Sequence, residues 1–252
     1  MTRGPRIIVT ADDFGLHAAA NHAIVDVLTS GIVSHTSIIT NMPGFEEACE
    51  LAGSRRFSDQ VGMHLNLTQG RPLTEAIRRL PGLCIQGEFA PSNRWNGFRP
   101  LGQEAKRAVA EELRAQIAVA RARGLRLTHL DSHNDSHIGP NVAGIVAALA
   151  REAGIPRVRP ARNCGRRQGV VQFVWRRRYN AWLKRLGLMQ VQYFGSTEDL
   201  LWLAERGRLG PSASAEVMTH PARDSHGVVV DTPFEQPLAE RIRRVRSCFD
   251  PT

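Results

Sequence analysis

The chain has 252 residues, of which 42% are apolar and 23% charged, a composition that supports a sizeable buried core and excludes intrinsic disorder. Its 33 Lys and Arg against 24 Asp and Glu leave a net charge of +9 with histidines neutral, which bears on attraction to anions and not on fold. The four cysteines, Cys49, Cys84, Cys164 and Cys248, form no C-x-x-C pair, which speaks against a zinc ribbon or thioredoxin-like motif and fits a reduced setting. No signal-peptide apolar region precedes Ile7, and the longest apolar stretch, Val142 to Ala150, is far shorter than the roughly 18 residues of a membrane span. The expectation is one cytoplasmic domain over 1–252, at most peripheral at the inner membrane face.

Ile7 to Val9 is a β-branched run closed by Thr10-Ala11-Asp12-Asp13, so two carboxylates follow directly on a buried strand. Ala18 to Leu28 carries the apolar stripe of an amphipathic helix and ends near Gly31. The alternation continues with a strand at Ser37 to Thr40, a helix at Phe45 to Ala52 and a strand at Val61 to Leu67. Residues 70 to 102 hold Pro72, Pro81, Pro91 and Pro100 and read as a long excursion without regular elements, of the kind that often serves as a lid. A helix over Gln103 to Arg123 precedes a strand at Leu125 to Leu130 and a helix at Val142 to Ala153. Then come an extended piece at Val158 to Pro160, a helix near Val171 to Leu186 and a strand at Val191 to Phe194. A helix near Glu198 to Arg206, a strand at Ala215 to Met218 and a helix over Phe234 to Cys248 complete the pass. This repetition, with no G-x-G-x-x-G and no Walker motif, predicts an α/β fold: an irregular, TIM-barrel-like (β/α) barrel of about seven parallel strands, with its chemistry at their carboxyl ends.

Polar groups fall at four of those ends: Asp12-Asp13, His64, the cluster from His129 to His137, and His220. An Asp with two His is a sound divalent-metal shell, because three protein ligands leave positions open for water and a substrate oxygen. Zinc fits it, magnesium with extra waters fits it, and iron in a two-His-one-carboxylate triad is chemically allowed. Taken singly, each residue has a plainer reading: a lone Asp caps the next helix, a lone His64 is a structural histidine, and His220 before Pro221 is a turn residue. The period-two spacing of His129, Asp131, His133, Asp135 and His137 would line all five along one face of a regular strand. No G-x-S-x-G elbow and no cysteine beside a histidine motif is present, which disfavours covalent catalysis.

The blocks Val9-Thr10-Ala11-Asp12-Asp13-Phe14-Gly15-Leu16, Gly31-Ile32-Val33-Ser34-His35-Thr36-Ser37, Gly62-Met63-His64-Leu65-Asn66-Leu67-Thr68, Thr128-His129-Leu130-Asp131-Ser132-His133 and Glu216-Val217-Met218-Thr219-His220-Pro221 resemble, in order, those of the YdjC-like carbohydrate deacetylase family. That family includes chitooligosaccharide deacetylases and a branch associated with hopanoid biosynthesis. The resemblance implies an irregular (β/α) barrel and metal-dependent hydrolysis of an N-acetyl group from an amino sugar, with one divalent ion, Zn2+ or Mg2+. By position, Asp13, His64 and His133 look like the metal ligands and Asp12 like the general base. Where the family often reads Asp-Ser-His-x-His-x-His, this chain has Asp135 in place of a histidine, which bears on substrate contacts and metal preference.

On this reading His220 is the candidate acid for the leaving amine, Asp131 orients it or a ligand, and Asp135 and His137 are supporting or substrate-contacting candidates. From Ala153 to Thr197 the chain carries ten Lys or Arg and no Asp or Glu, with Trp175, Tyr179 and Trp182 among them. A solvated helix face explains such a run, and a peripheral contact of 157–185 with an anionic membrane would suit a lipid-linked substrate. Nucleic acid is not expected as a partner, and a homodimer rests on base rates alone. The rival readings are a metal-dependent hydrolase of a phosphoester or glycosidic bond, and a non-catalytic barrel that binds lipid or nucleic acid.

Overall fold

The computed structural model describes residues 7–90, 100–165, 169–209, 212–232 and 234–249. Positions 91–99 of the expected excursion, and Arg166 and Arg167 of the basic segment, lie outside the described residues. In chain order the elements are β1 (Ile7–Phe14), α1 (Ala18–Thr29), β2 (His35–Ile38), α2 (Phe45–Ser54), β3 (Val61–Leu65), α3 (Glu75–Arg78), β4 (Cys84–Ile85), β5 (Glu88–Phe89), α4 (Gln103–Ala122) and β6 (Leu130–Ser132). There follow α5 (Ala143–Glu152), α6 (Val170–Arg185), β7 (Tyr193–Gly195), α7 (Thr197–Glu205), β8 (Ala215–Thr219), β9 (Pro221–Arg223), β10 (Val229–Asp231), β11 (Phe234–Pro237) and α8 (Leu238–Ser247). A 3-10 turn over His133–Ile138 follows β6 directly.

Two compact units divide the chain: one holds 7–12, 22–36 and the described residues from 160 onward, the other 13–21 and the described residues of 37–159. In the first, the strands run β2, β1, β8, β7; in the second, β6, β3, β2, β1, because β1 and β2 contribute residues to both. The sheet therefore counts six strands rather than about seven. The missing one is the extended piece at 158–160, which makes only an isolated bridge from Val158 to Leu130. No helix among the described residues is long and apolar enough to cross a membrane.

β1 runs well past the expected Ile7 to Val9. Its backbone pairs in parallel with β8 from Ile7 opposite Ala215 to Ala11 opposite Thr219, and the buried Thr10 hydroxyl reaches Glu216 Oε1 at 3.3 Å. A polar side chain with a partner does not end a buried strand. β3 is buried along its whole length, as strands of a covered parallel sheet are. Its parallel register with β6 sets Met63 against Leu130 and His64 against Asp131.

α4 buries Val109, Leu113 and Ile117 at four-residue intervals, each worth about 1.5–3 kcal/mol of apolar burial. The same face buries Glu112 and Gln116. Glu112 accepts the Leu73 N–H at 3.0 Å and the Thr74 N–H and hydroxyl at 2.8 Å. The excursion after residue 70 is thus fastened to α4, and it contains α3 and a β4–β5 hairpin in place of the expected irregular loop. Gln86 and Gly87 both adopt positive φ at the hairpin tip, a turn easily missed where Gln stands in the position usually taken by Asn or Gly.

The last helix starts at Leu238, not Phe234. Residues Phe234–Pro237 pair instead with β10 in an antiparallel sheet with β9 that the sequence pattern did not reveal. Pro237, which lacks an N–H, marks the boundary.

Candidate functional site

In the second unit Asp13, His64 and His133 come together from the end of β1, from β3 and from the first position after β6, with ligand atoms within 4.8 Å of one another. Asp13 has φ 71°, a left-handed conformation that Asp tolerates better than most residues and that takes the chain off the regular strand path. Gly15, two residues on, has φ 88°, and a Cβ there would stand 2.7 Å from the Ile39 carbonyl oxygen, so the turn out of β1 needs glycine.

His64 Nδ1 lies 2.7 Å from Asp131 Oδ1, the residue opposite it in the β3–β6 register, and 3.0 Å from Ser37 Oγ. A carboxylate only accepts, so Nδ1 carries the hydrogen and Nε2 presents its lone pair, 3.4 Å from Asp13 Oδ1. His133 Nδ1 lies 2.9 Å from the same Asp13 oxygen, and its Nε2 lies 2.9 Å from Gln69 Oε1. Two imidazole nitrogens and a carboxylate oxygen therefore converge, joined here by hydrogen bonds and charge, and with the rings deprotonated the same atoms could hold a cation in place of the shared protons. That donor set, one oxygen and two nitrogens, fits a divalent metal of the zinc or magnesium type.

The electrostatics agree. Burial pushes the Asp13 carboxyl up, but hydrogen bonds and charge from His133 and His64 outweigh it and hold the group well below the usual carboxylate range. Asp131 is wholly buried; burial likewise opposes its ionisation, and Arg159, 2.7 Å from Asp131 Oδ2, and then His64 reverse the balance and keep it an anion. This carboxylate–histidine pair fixes the His64 tautomer and ring plane.

Each of these supports is itself anchored. Gln116 donates to the Asn66 carbonyl at 2.7 Å and accepts its N–H at 2.9 Å, and Asn66 Oδ1 takes the Thr68 and Gln69 N–H groups at 3.0 and 3.2 Å. The turn so fixed delivers Gln69 to His133 and Thr68 to Asn134. His129 packs so tightly against β3 that a Cβ at Gly62 would stand only 2.2 Å from its ring.

The period-two reading of the cluster fails beyond Ser132. Asn134 and Asp135 both take φ 54° and fold the chain into the 3-10 turn, so the five side chains do not line one face. His137 is buried within that turn, Nδ1 2.7 Å from Ser132 Oγ and Nε2 donating to the Arg159 carbonyl at 3.1 Å. Burial holds its pKa below the ordinary histidine value. Its observed contacts are structural. Asp135 is half-buried and without a hydrogen-bond partner among the described residues.

In the first unit His220 Nε2 lies 4.0 Å from Asp12 Oδ2; Asp12 is buried and His220 partly exposed. The His220 N–H donates to Asp231 Oδ1 at 2.7 Å, and burial raises the Asp231 pKa. Sequence reasoning singled out Asp12 and His220 but missed Asp231, Gln69 and Arg159. Arg157 and Arg159 are buried, contrary to the solvated reading of the basic run.

Parallel strands delivering a carboxylate and two histidines to one point define an α/β protein with a candidate divalent-metal centre. The chain belongs to the YdjC-like protein family, whose profile matches residues 6–246. It is 31% identical over 252 residues to a carbohydrate deacetylase of Geobacillus stearothermophilus, covering 97% of this chain and 89% of that one. To a chitooligosaccharide deacetylase of Escherichia fergusonii it is 35% identical over 156 residues, which span 59% of this chain and 57% of the relative. A crystal structure of a proposed cellobiose-phosphate cleavage protein of Enterococcus faecalis V583 superposes with a TM-score of 0.64 at 25% identity, covering 97% of this chain and 90% of that one.

Proposed function

We propose that this chain is a metal-dependent carbohydrate deacetylase that removes the N-acetyl group of an N-acetylglucosamine-type sugar, free or lipid-linked. The relatives' names support the reaction class. The observation that carries the reading is the convergence of a His64 and a His133 ring nitrogen on Asp13 Oδ1. When bound there, a Zn2+ or Mg2+ ion would polarise the acetamide carbonyl and lower the pKa of water.

The remaining work falls to the chain's own groups. Water adds to the acetamide carbonyl carbon, the C–N bond breaks, and acetate and a free amine leave. Asp12, the residue before the ligand Asp13, takes the proton of the attacking water as general base, a role worth about 10^2–10^4 in rate. His220 delivers a proton to the departing nitrogen as general acid. Asp131 holds the His64 ring in its ligand tautomer, and Gln69 orients the His133 ring. Residues 1–252 act as one domain in this proposal, and a homodimer remains its default assembly.

The test is acetate release from N-acetylglucosamine oligosaccharides and glycolipids, using metal-stripped protein restored with zinc, magnesium or manganese, alongside Asp12→Asn. The expected result is metal-dependent release that Asp12→Asn loses while keeping its metal. Full turnover in that variant would overturn the base assignment. Tight metal binding with no acetate from any substrate would point to another bond, phosphoester or glycosidic.

A further inference from the structure

α6 is amphipathic in an inverted sense. Its buried residues, Tyr179, Asn180 and Leu183, all lie in its second half, and Asn180 fastens the helix by bonding both backbone groups of Ala161, at 2.7 and 2.9 Å. Its first two turns bury nothing. Val170, Val171, Phe173 and Val174 are 78%, 65%, 50% and 47% exposed, four of the six large apolar side chains that stand in solvent among the described residues. At 3.6 residues per turn Val170, Val171 and Val174 fall on the side opposite Tyr179, Asn180 and Leu183, and Phe173, seven residues before Asn180, stands at the edge of that side. The same outward side continues in Arg177, Arg178, Lys184 and Arg185, all exposed, with Arg177 stacked 5.6 Å over the Phe173 ring.

An apolar tip followed by cations along one face matches the layering of a bilayer surface, acyl boundary first and phosphate next. No acidic residue occurs between 153 and 197 to neutralise those cations locally. Nucleic acid would use the arginines but gives aliphatic Val170, Val171 and Val174 nothing to bury against. We propose that the outward face of α6 docks on an anionic lipid bilayer, with Val170, Val171, Phe173 and Val174 entering the interface and Arg177, Arg178, Lys184 and Arg185 meeting lipid phosphates. Arg157 and Arg159, being buried, take no part. The proposal extends the functional reading by naming where a lipid-carried sugar would be met, and the docking itself is measured without any deacetylase assay.

The experiment is co-sedimentation of the full chain with vesicles of phosphatidylcholine alone or mixed with phosphatidylglycerol, at low and high salt. Beside it stand Phe173→Glu with Val174→Glu, and Arg177→Ala with Arg178→Ala. Wild type should bind only the anionic vesicles and release with salt. The arginine pair should lower the partition coefficient roughly thirty-fold, about fivefold per cation. The glutamate pair should abolish binding. All variants should keep wild-type circular dichroism and acetate release from a water-soluble oligosaccharide, since the changed side chains are exposed and outside the site. Absence of vesicle binding by wild type, or binding indifferent to the glutamate pair, would overturn the proposal. So would a wild-type dimer that the glutamate pair converts to monomer without any vesicle binding, which would assign the face to a second copy. Salt-sensitive binding to an RNA oligomer that survives the glutamate pair, without vesicle binding, would assign it to nucleic acid.

Discussion

His64 and His220 are both strand-associated histidines, and the structure treats them in opposite ways. His64 is buried, its Nδ1 held by Asp131, which is in turn held by Arg159, so its ring has one orientation and one tautomer. His220 is partly exposed, its backbone pinned by Asp231 while its ring stands 4.0 Å from Asp12. A ligand must present a lone pair at one point before anything binds, so rigidity serves it. A proton donor must take up a proton from water and deliver it to a departing atom, so access and a loose ring serve it better. The degree of burial distinguishes the two proposed roles where residue type does not.

Breaking the rigid side should have the larger effects. His64→Ala should lose bound metal and acetate release together, reducing turnover to background, as checked by elemental analysis and single-turnover assay. Asp131→Asn should keep the ring but free its tautomer, lowering metal affinity about 10–100-fold in a competition titration. Because it also leaves Arg159 buried without its anion, unfolding in urea should show a loss of about 3–5 kcal/mol.

The more exposed side should yield smaller and separable effects. Asp231→Ala should leave metal content unchanged and lower kcat about tenfold, by releasing the His220 backbone while sparing its ring. The smallest effect concerns pH. Burial lowers the folded His137 pKa below 6.5, so the unfolded chain takes up the proton first. Its contribution to stability is complete above pH 6.5 and is lost as pH falls from there toward the folded value, by at most about 1.4 kcal/mol per pH unit. Urea midpoints of the chelated protein between pH 7.5 and 5.5 should show that decline, and His137→Asn should flatten it.

The three residues that meet at the candidate centre, Asp13, His64 and His133, were legible because each lies in or just after a β-branched or alternating run, where a strand is easily placed. Most helices were legible for the same reason, through their apolar periodicity. The cluster from His129 to His137 misled because alternation was extended beyond the strand, although Asn134 and Asp135 are residue types that tolerate the left-handed turn found there. Arg159 was hidden in a run of cations whose sequence gives no sign that one member is buried against a carboxylate. Gln69 depends on Asn66 and Gln116, fifty positions apart, and no local pattern announces a hydrogen bond of that span. The β9–β11 sheet escaped because its strands are only three or four residues long.

The left-handed backbone at Asp13 also limits how this centre can evolve. Glu would keep the charge and Cys would offer a softer ligand, but both disfavour φ 71°. Asn and Gly accept that conformation readily and carry no charge. If Asp13 is the metal ligand proposed above, the conformationally easy steps away from it are those that abandon a cation, and the hard ones are those that would exchange it for another. On that proposal, lineages that drift at this position should more readily lose a metal than acquire a new one, an asymmetry imposed by the main chain and not by coordination chemistry.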